Sequence, residues 1–178
     1  KWPTASLGIL FAPLLQAQSN NEEFGGYAKY LFSRTEMSTQ QETYDHLLHA
    51  RVNTKWFPIE DFSGILELRT RLFYGDIVEQ TPGFADMLGH DAGFGKLGTV
   101  MWNRKKSTAY TEIDRLYLNW GPPGLQISAG RQRIAWGTNL VWNPIDLFNP
   151  QSVLDFDYEE RPAVDAVRIQ YYTGDVSK

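Results

Sequence analysis

The sequence predicts an all-β fold, an antiparallel up-and-down transmembrane β-barrel of which this chain would form the N-terminal part. Three observations predict it. Apolar and polar residues alternate with period two along six segments, as they do in strands with one apolar face. The connections between these segments alternate between short and long, and aromatic residues cluster at the segment ends. Outer-membrane barrels have short periplasmic turns, long extracellular loops and aromatic girdles at both interfaces.

The alternating segments give six predicted strands, each bounded by turn residues. The connections at 58–61 and 121–124 are short, and those at 76–107 and 137–162 are long. The smallest barrels have about eight strands, and the chain does not begin with Met, so we expect an incomplete segment of a larger barrel. The predicted strands lie at about residues 24–34, 45–57, 62–75, 108–120, 124–136 and 163–173.

The charged residues of the predicted strands fall on one face. In the second strand, Leu48 and Val52 alternate with Arg51 and Lys55. An Arg or Lys that faces lipid costs about 2–4 kcal/mol at the bilayer midplane, so this sorting avoids a large penalty. A soluble sheet that packs its apolar face on a core has the same alternation.

The aromatic residues favour the bilayer, because Trp and Tyr rings settle at its two interfaces. The rim predicted to be periplasmic carries Trp56, Phe57, Trp120, Tyr171 and Tyr172. The opposite rim carries Phe73, Tyr74 and Trp136.

The N-terminal residues differ from the rest, with an apolar run at 5–15 and no charge between Lys1 and Glu22. This pattern predicts a secretory signal peptide at 1–17. The outer-membrane barrel segment would then be 18–178, outside the cytoplasm. The alternative is a short buried helix or strand, against which Pro13 argues, because proline interrupts a helix or a sheet ladder.

The composition excludes several classes of protein. Of the 178 residues 21% are charged, and the formal net charge is -4, which suggests neither disorder nor a nucleic-acid binder. There is no cysteine, hence no disulfide and no cysteine metal site. No apolar run of about 18 residues follows the N-terminus, which excludes a helical membrane protein. His46, His49 and His90 form no spaced metal motif, and we expect no cofactor.

The fifth predicted strand exchanges its faces at Gly130, after which Arg131 and Arg133 take positions of the apolar face. If the preceding short turn closes a hairpin, Asp114 opposes Arg131 and Glu112 opposes Arg133, two favourable cross-strand pairs. A β-bulge near Gly130 accounts for the exchange, because one extra residue shifts the parity and turns both arginines into the lumen. The alternative is regular alternation, with both pairs facing outward.

The residues around this exchange carry a resemblance that extends from Leu125 to Tyr171. The run resembles the porin-like outer-membrane families of Gram-negative bacteria, with the alginate-export proteins as the best-described relatives. The resemblance implies a monomeric barrel whose arginine-lined lumen passes an anionic polymer. The segment WNPIDLFNP, at 142–150, departs from the alginate exporters, so only the fold and the lumen arginines are carried over. The matching residues are Gly130-Arg131-Gln132, Trp136-Gly137, Trp142-Asn143-Pro144 and Asp165-Ala166-Val167-Arg168.

The expected function is an outer-membrane channel that passes anionic small solutes or acidic polysaccharide. A narrow pore lined by one sign of charge concentrates the opposite ion, and the planar fork of Arg binds two oxygens of a carboxylate or phosphate at once. The expected partners are outer-membrane lipid, lipopolysaccharide and the anionic solute, and no nucleic acid. The residues expected along the solute path are Lys29, Arg51, Lys55, Glu67, Arg69, Arg71, Arg115, Arg131, Arg133 and Arg168.

The 137–162 connection is the most unusual loop, because Trp142 and Phe148 are too apolar to extend into water. We expect it to fold over or into the pore, where these rings could stack on sugars, with a locally packed surface loop as the alternative. The acidic run DFDYEE, at 155–160, lacks the Gly turn of a calcium loop, so no metal site is expected.

Two other functions stay open. One is a soluble secreted β-sandwich that binds carbohydrate, and the other is an outer-membrane enzyme. Glu159 and Glu160 are adjacent and would point apart in a strand, which argues against a glycosidase pair. No catalytic constellation is evident, and no enzyme is expected.

Overall fold

The computed structural model describes residues 4–13, 17–36, 41–88, 93–134 and 163–173, which form one antiparallel sheet. Its strands are β1 (Thr4–Pro13), β2 (Ala17–Ser19), β3 (Glu22–Glu36), β4 (Glu42–Ile59), β5 (Phe62–Gly75), β6 (Gly98–Arg104), β7 (Ser107–Trp120), β8 (Leu125–Gln132) and β9 (Val164–Tyr171). The strand order is β1-β3-β4-β5-β7-β8-β9, with β2 paired to β3 and β6 paired to β7. The predicted all-β, up-and-down architecture is confirmed, and over the described residues the sheet is open.

All six predicted strands are present, with ends that differ by a few residues. β6 lies within the expected long connection and joins β7 through a turn at Lys105 and Lys106. The sequence pattern does not predict β6, because Val100, Met101 and Trp102 are consecutive and hide the alternation of a strand.

Two short helices, α1 (Asp76–Gln80) and α2 (Phe84–Leu88), follow β5. The Ile77 N–H donates to Asp45 Oδ1 at 2.7 Å, and the Tyr44 N–H donates to Asp76 Oδ2 at 3.0 Å, which fixes α1 to β4. The sequence pattern predicts neither helix, because each has five residues, too few to show a helical period. Within the described ranges, no helix has the length and apolarity needed to cross a membrane.

β1 pairs with β3 over its whole length, so residues 4–13 form a strand, but Ile9 and Leu10 are exposed, unlike in the buried strand named as the alternative to a signal peptide. The signal peptide at 1–17 stays a prediction. Pro13 is the last residue of β1, where its missing N–H disturbs the ladder least.

The short connections meet at one edge of the sheet, here called the turn rim. The Gly121 N–H donates to the Asp61 carbonyl at 2.8 Å, which joins the β7–β8 turn to the β4–β5 turn. The Phe57 N–H donates to the Asn21 carbonyl at 2.8 Å, which places the β2–β3 turn beside them. At the opposite edge, the loop rim, the connections after β5 and β8 are long, whereas the one after β3 spans five residues and the β6–β7 turn spans two. The predicted segregation of short and long connections is therefore found only in part, because the short β6–β7 turn lies at the loop rim.

The burial of the two faces of the sheet is the reverse of that in a soluble sheet, which buries its apolar face. One face, the polar face, carries charged side chains that are only 3% to 8% exposed, among them Lys29, Arg51, Arg69, Arg71 and Asp114. The opposite apolar face carries large aliphatic side chains that are 37% to 68% exposed: Leu48, Leu66, Leu68, Leu116, Leu118, Val167 and Ile169. In the described part of the chain, the charged side of the sheet is therefore buried and the aliphatic side is exposed.

An apolar cluster covers the loop-rim end of the polar face. Phe84 of α2 packs edge-on against Phe73 of β5, with ring centroids 5.2 Å apart. Phe73 alternates with Arg71 along β5 and so lies on the polar face. Val78 and Ala85 are also buried.

Candidate functional site

Alternate residues of β3, β4, β5 and β7 lie side by side in rows across the polar face. Neighbouring strands are about 4.8 Å apart, so the side chains of one row come into contact. The first row is Lys29, His49, Arg71 and Tyr110. The second row, toward the turn rim, is Tyr27, Arg51, Arg69 and Glu112. The third row is Gly25, Asn53, Glu67 and Arg115.

Arg51 is the centre of a buried ion-pair network. Its Nη2 lies 2.8 Å from Asp114 Oδ2 and also donates to Glu67 Oε2. Its Nε donates to Asn53 Oδ1 at 3.0 Å. Glu67 in turn accepts from Arg115 Nη1 at 3.4 Å. Because a buried charge without a partner is costly, this network makes the charged face compatible with burial.

Glu112 forms a second network. Its Oε1 accepts from Arg69 Nε at 2.8 Å and from Arg71 Nη2 at 3.5 Å. The Arg71 guanidinium also lies 5.9 Å from the centroid of the Phe73 ring and 5.8 Å from that of the Tyr110 ring. Arg71 is therefore held partly by aromatic faces, which attract a cation.

A β-bulge in β7 exchanges the faces of that strand. Glu67 registers with Arg115 and Leu68 with Ile113, so Asp114 is an extra residue in β7. The extra residue shifts the parity, and both Asp114 and Arg115 project onto the polar face.

The bulge expected near Gly130 is wrong, because the ladders that contain Gly130 continue without a register shift. Gly130 instead adopts a φ of 125°, and a Cβ there would lie 2.3 Å from the Leu116 carbonyl oxygen.

The expected cross-strand pairs between Asp114 and Arg131 and between Glu112 and Arg133 are also wrong. Leu116 registers with Arg131, two residues out of step with the expected alignment. The Leu125 N–H bonds the Pro122 carbonyl at 3.0 Å, and the first ladder pair of the hairpin is Trp120 with Ile127. The β7–β8 turn is thus wider than the four residues between the strands suggest.

Arg131 belongs instead to a cluster at the loop-rim end of β8. Its Nε lies 3.0 Å from Asp165 Oδ1 and its Nη2 lies 3.0 Å from Asp165 Oδ2, a bidentate pair between β8 and β9. Arg131 Nη2 also donates to the Gly95 carbonyl at 2.6 Å. Arg131 is only 5% exposed, so it serves as a structural anchor of the 93–95 segment.

The remaining expected path residues lie in different surroundings. Arg168 shares a polar row with Ser63, Asn119 and Ser128 near the turn rim. Lys55 is half exposed, 3.4 Å from Glu23. Arg133 is exposed beyond the end of β8. Trp142, Phe148 and the 137–162 connection lie outside the described residues, as do Trp136 and the acidic run at 155–160.

Two structural features of this face are missing from the sequence prediction. Gln132 is 2% exposed, and its Nε2 donates to the carbonyls of Ser128 and Ala166, at 3.1 and 2.9 Å. The segment at 93–95 contacts the Arg131 cluster, and only its Gly-Phe-Gly composition hints at a close approach of the backbone. Among the described residues, no group of three or more His, Asp or Glu could hold a metal ion.

The fold and this face define an antiparallel sheet protein with one charged, buried side. Comparison with protein-family models, with curated proteins and with solved structures found no match. The resemblance to the porin-like families stays a prediction that rests on the residues quoted above.

Proposed function

We propose that the chain is part of an outer-membrane β-barrel channel that passes anionic small solutes or acidic polysaccharide. The polar face lines the lumen, and the apolar face contacts lipid. The inverted burial of the two faces carries this proposal. Transmembrane barrels alternate between apolar residues that face lipid and polar residues that face the lumen, which is the alternation in these strands.

The large exposed area of the apolar face would be unfavourable in water. Leu118 is 50% exposed, and across the ladders Val167 and Ile169 are 68% and 65% exposed. Contiguous apolar surface larger than a few hundred Å² marks an interaction site on a soluble protein. A lipid bilayer covers such a face along all its strands at once.

Exposed aromatic rings at the ends of this face support the same environment. At the turn rim, Trp56 and Trp120 are each 47% exposed and Tyr171 is 65% exposed. At the loop rim, Tyr74 is 52% exposed. Amphipathic rings at both ends of a spanning strand match the two membrane interfaces.

The alternative of a secreted β-sandwich that binds carbohydrate is less well supported. A sandwich packs its apolar face against a second sheet about 10 Å away. Over the described residues all strands belong to one sheet, and its aliphatic face is the exposed one. We propose no enzymatic role.

The charge of the polar face supports an anionic solute, although ion pairs reduce the excess. A pore with this excess raises the local concentration of anions. Among the described strands, the basic residues on this face are Lys29, Arg51, Lys55, Arg69, Arg71, Arg115 and Arg168, and the acidic ones are Glu23, Asp45, Glu67, Glu112 and Asp114.

The test is a planar bilayer that contains the full-length protein under a KCl gradient. The reversal potential should show anion preference, and Arg69→Glu with Arg71→Glu should move it toward cation preference. Heat-modifiable migration of the folded protein on a gel controls for folding of both forms. Absence of channels, cation preference in the parent, or an unchanged potential in the folded variant contradicts the proposal.

A further inference from the structure

Arg168 differs from the other arginines of the described strands in what holds its guanidinium. Arg51, Arg69, Arg115 and Arg131 each form an ion pair with a carboxylate. Within the described ranges Arg168 has a hydrogen bond to Ser128 Oγ at 3.4 Å and no ion pair. Its Nε is buried without a hydrogen-bond partner there.

The surroundings of Arg168 are polar but neutral. Ser63, Asn119 and Ser128 lie in the same row across β5, β7 and β8. Ser128 is fully buried, and its hydroxyl faces the guanidinium. The next row toward the turn rim pairs Gln126 with Gln170. Arg168 is therefore the only charge in this neutral part of the described polar face.

The acidic residues of the described polar face are distant from Arg168. Asp114 lies two strands across and about four residue positions along the sheet, about 10 Å by 14 Å, and Glu67 lies one strand further away. That separation exceeds the Debye length of about 8 Å at physiological ionic strength. Asp165, on the same strand, is bound to Arg131. The field of Arg168 is therefore not cancelled by the acids that neutralise the other arginines.

We propose that Arg168 is the residue of the channel that recognises the anion, and that it binds an oxyanion group, carboxylate or phosphate, beside the Ser128 hydroxyl. The inference rests on the proposed channel function and assigns recognition of the oxyanion group to one residue. The paired arginines then build the wall, and Arg168 provides the binding group. A guanidinium fork and a neighbouring hydroxyl donor suit two oxygens of one ligand, which chloride cannot match.

The experiment compares reversal potential and chloride current of the full-length protein with those of three variants. Arg168→Gln removes the charge, Arg168→Lys keeps the charge but removes the fork, and Arg104→Gln is the matched control at an exposed position outside the row. Potassium acetate and potassium phosphate are added separately to distinguish a carboxylate from a phosphate ligand.

Arg168→Gln should lower the anion-to-cation permeability ratio by roughly threefold, the size of a unit-charge interaction across about 6 Å of water. Block of chloride current by acetate or phosphate should disappear in Arg168→Gln and weaken in Arg168→Lys. Arg104→Gln should leave the permeability ratio and the block unchanged. If Arg168→Gln does not fold, as judged by heat-modifiable migration, Arg168→Lys provides the test. Block by acetate or phosphate that is as strong in Arg168→Lys as in the parent then overturns the inference.

The outcomes separate this inference from the function on which it rests. A parent without channels or without anion preference overturns the proposed function. An anion-selective parent whose ratio and block survive in Arg168→Gln overturns only the role of Arg168. Equal effects of Arg104→Gln and Arg168→Gln also overturn it, because a diffuse charge effect then explains the selectivity.

Discussion

Arg131 and Asp165 form a bidentate ion pair directly across the β8–β9 ladder, and the pair also holds the backbone of a distant loop. Asp165 Oδ2 accepts the N–H groups of Phe94 and Gly95 at 2.6 and 3.4 Å. The Gly95 carbonyl accepts from Arg131 at 2.6 Å. Three segments far apart in sequence are therefore tied together at the point where β6 begins.

Asp165→Asn should release the 93–95 segment and destabilise the fold. Breaking a buried pair costs about 3–5 kcal/mol, and because the Asp165 side chain is 27% exposed, we expect about 1–3 kcal/mol. Denaturant unfolding in detergent measures this loss, and amide hydrogen exchange at 93–97 should accelerate.

A double-mutant cycle with Arg131→Gln isolates the pair. The two substitutions together should cost less than the sum of the single costs, because each removes the same interaction. Additive costs would contradict a direct role of the pair.

Gly93→Ala tests how closely the loop approaches the pair. A Cβ at Gly93 would lie 1.7 Å from Arg131 Nη2, so the guanidinium must move away from Asp165. We expect faster hydrogen exchange at Phe94 and lower stability, in the same range as for Asp165→Asn. Gly95→Ala is the matched control, since a Cβ there meets nothing within 4 Å. Equal effects of the two substitutions would show that the contact with Arg131 is not the cause.

Gly130→Ala should be strongly unfavourable at a position where the sequence predicts a bulge. The φ of 125° is strained for Ala, and the Cβ would lie 2.3 Å from the Leu116 carbonyl oxygen. Strain of this kind costs about 1–3 kcal/mol, and displacement of the β7–β8 ladder at Leu116 would add to it. Gly121→Ala is the control, because its Cβ position is open. Unfolding in denaturant compares the two, and equal stabilities would argue against the Gly130 geometry.

The strands could be predicted because every second residue of a strand lies on the same face, so the alternation of polar and apolar residues identifies both the strand and its faces. Leu66 and Leu68 alternate with Glu67 and Arg69 in β5, and one period assigns both the strand and the two faces. β6 and the helices α1 and α2 escape this reasoning. They are short, and their positions depend on contacts such as Phe73 with Phe84, which join residues from different segments.

The partners of the arginines could not be predicted as reliably as their face. The face on which an arginine lies follows from its position in the alternation of one strand. Its ion-pair partner depends on how neighbouring strands are aligned, which the sequence of one strand does not show. The sequence shows a face exchange in the fifth predicted strand, β8, but not which strand carries the register shift. The shift lies at Asp114, and the wider β7–β8 turn moves Arg131 opposite Leu116.

Arg51→Gln should destabilise the sheet more than any exposed substitution. It removes the cation that lies 2.8 Å from Asp114, whose side chain is 5% exposed. Loss of one partner from a buried pair costs about 3–5 kcal/mol. Lys55→Gln on the same strand is the control, because Lys55 and Glu23 are 55% and 43% exposed and exposed pairs contribute less than about 1 kcal/mol. Denaturant midpoints that are equal for the two variants would contradict the buried network.

The contact between α1 and the β6–β7 turn should depend on pH at both ends of the scale. Glu79 accepts from Lys105 Nζ at 2.8 Å and from Lys106 Nζ at 2.9 Å. These hydrogen bonds, first that from Lys105, hold the pKa of Glu79 below its ordinary value of 4.5. The hydrogen bond to Glu79 raises the pKa of Lys106 above its ordinary 10.5.

The lowered pKa of Glu79 and the raised pKa of Lys106 define the pH range in which this contact stabilises the fold. The lowered pKa of Glu79 gives a contribution that is present above pH 4.5 and is lost as the pH falls through its folded pKa. The raised pKa of Lys106 gives a contribution present below pH 10.5 and lost as the pH rises through its folded pKa. NMR titration of the Glu79 carboxyl carbon should give a midpoint below 4.5, and Lys105→Gln should raise it. Arg104→Gln, an exposed change of the same charge next to Lys105, should leave it unmoved. An equal shift in both variants would mean that general charge, rather than the Lys105 hydrogen bond, sets the midpoint.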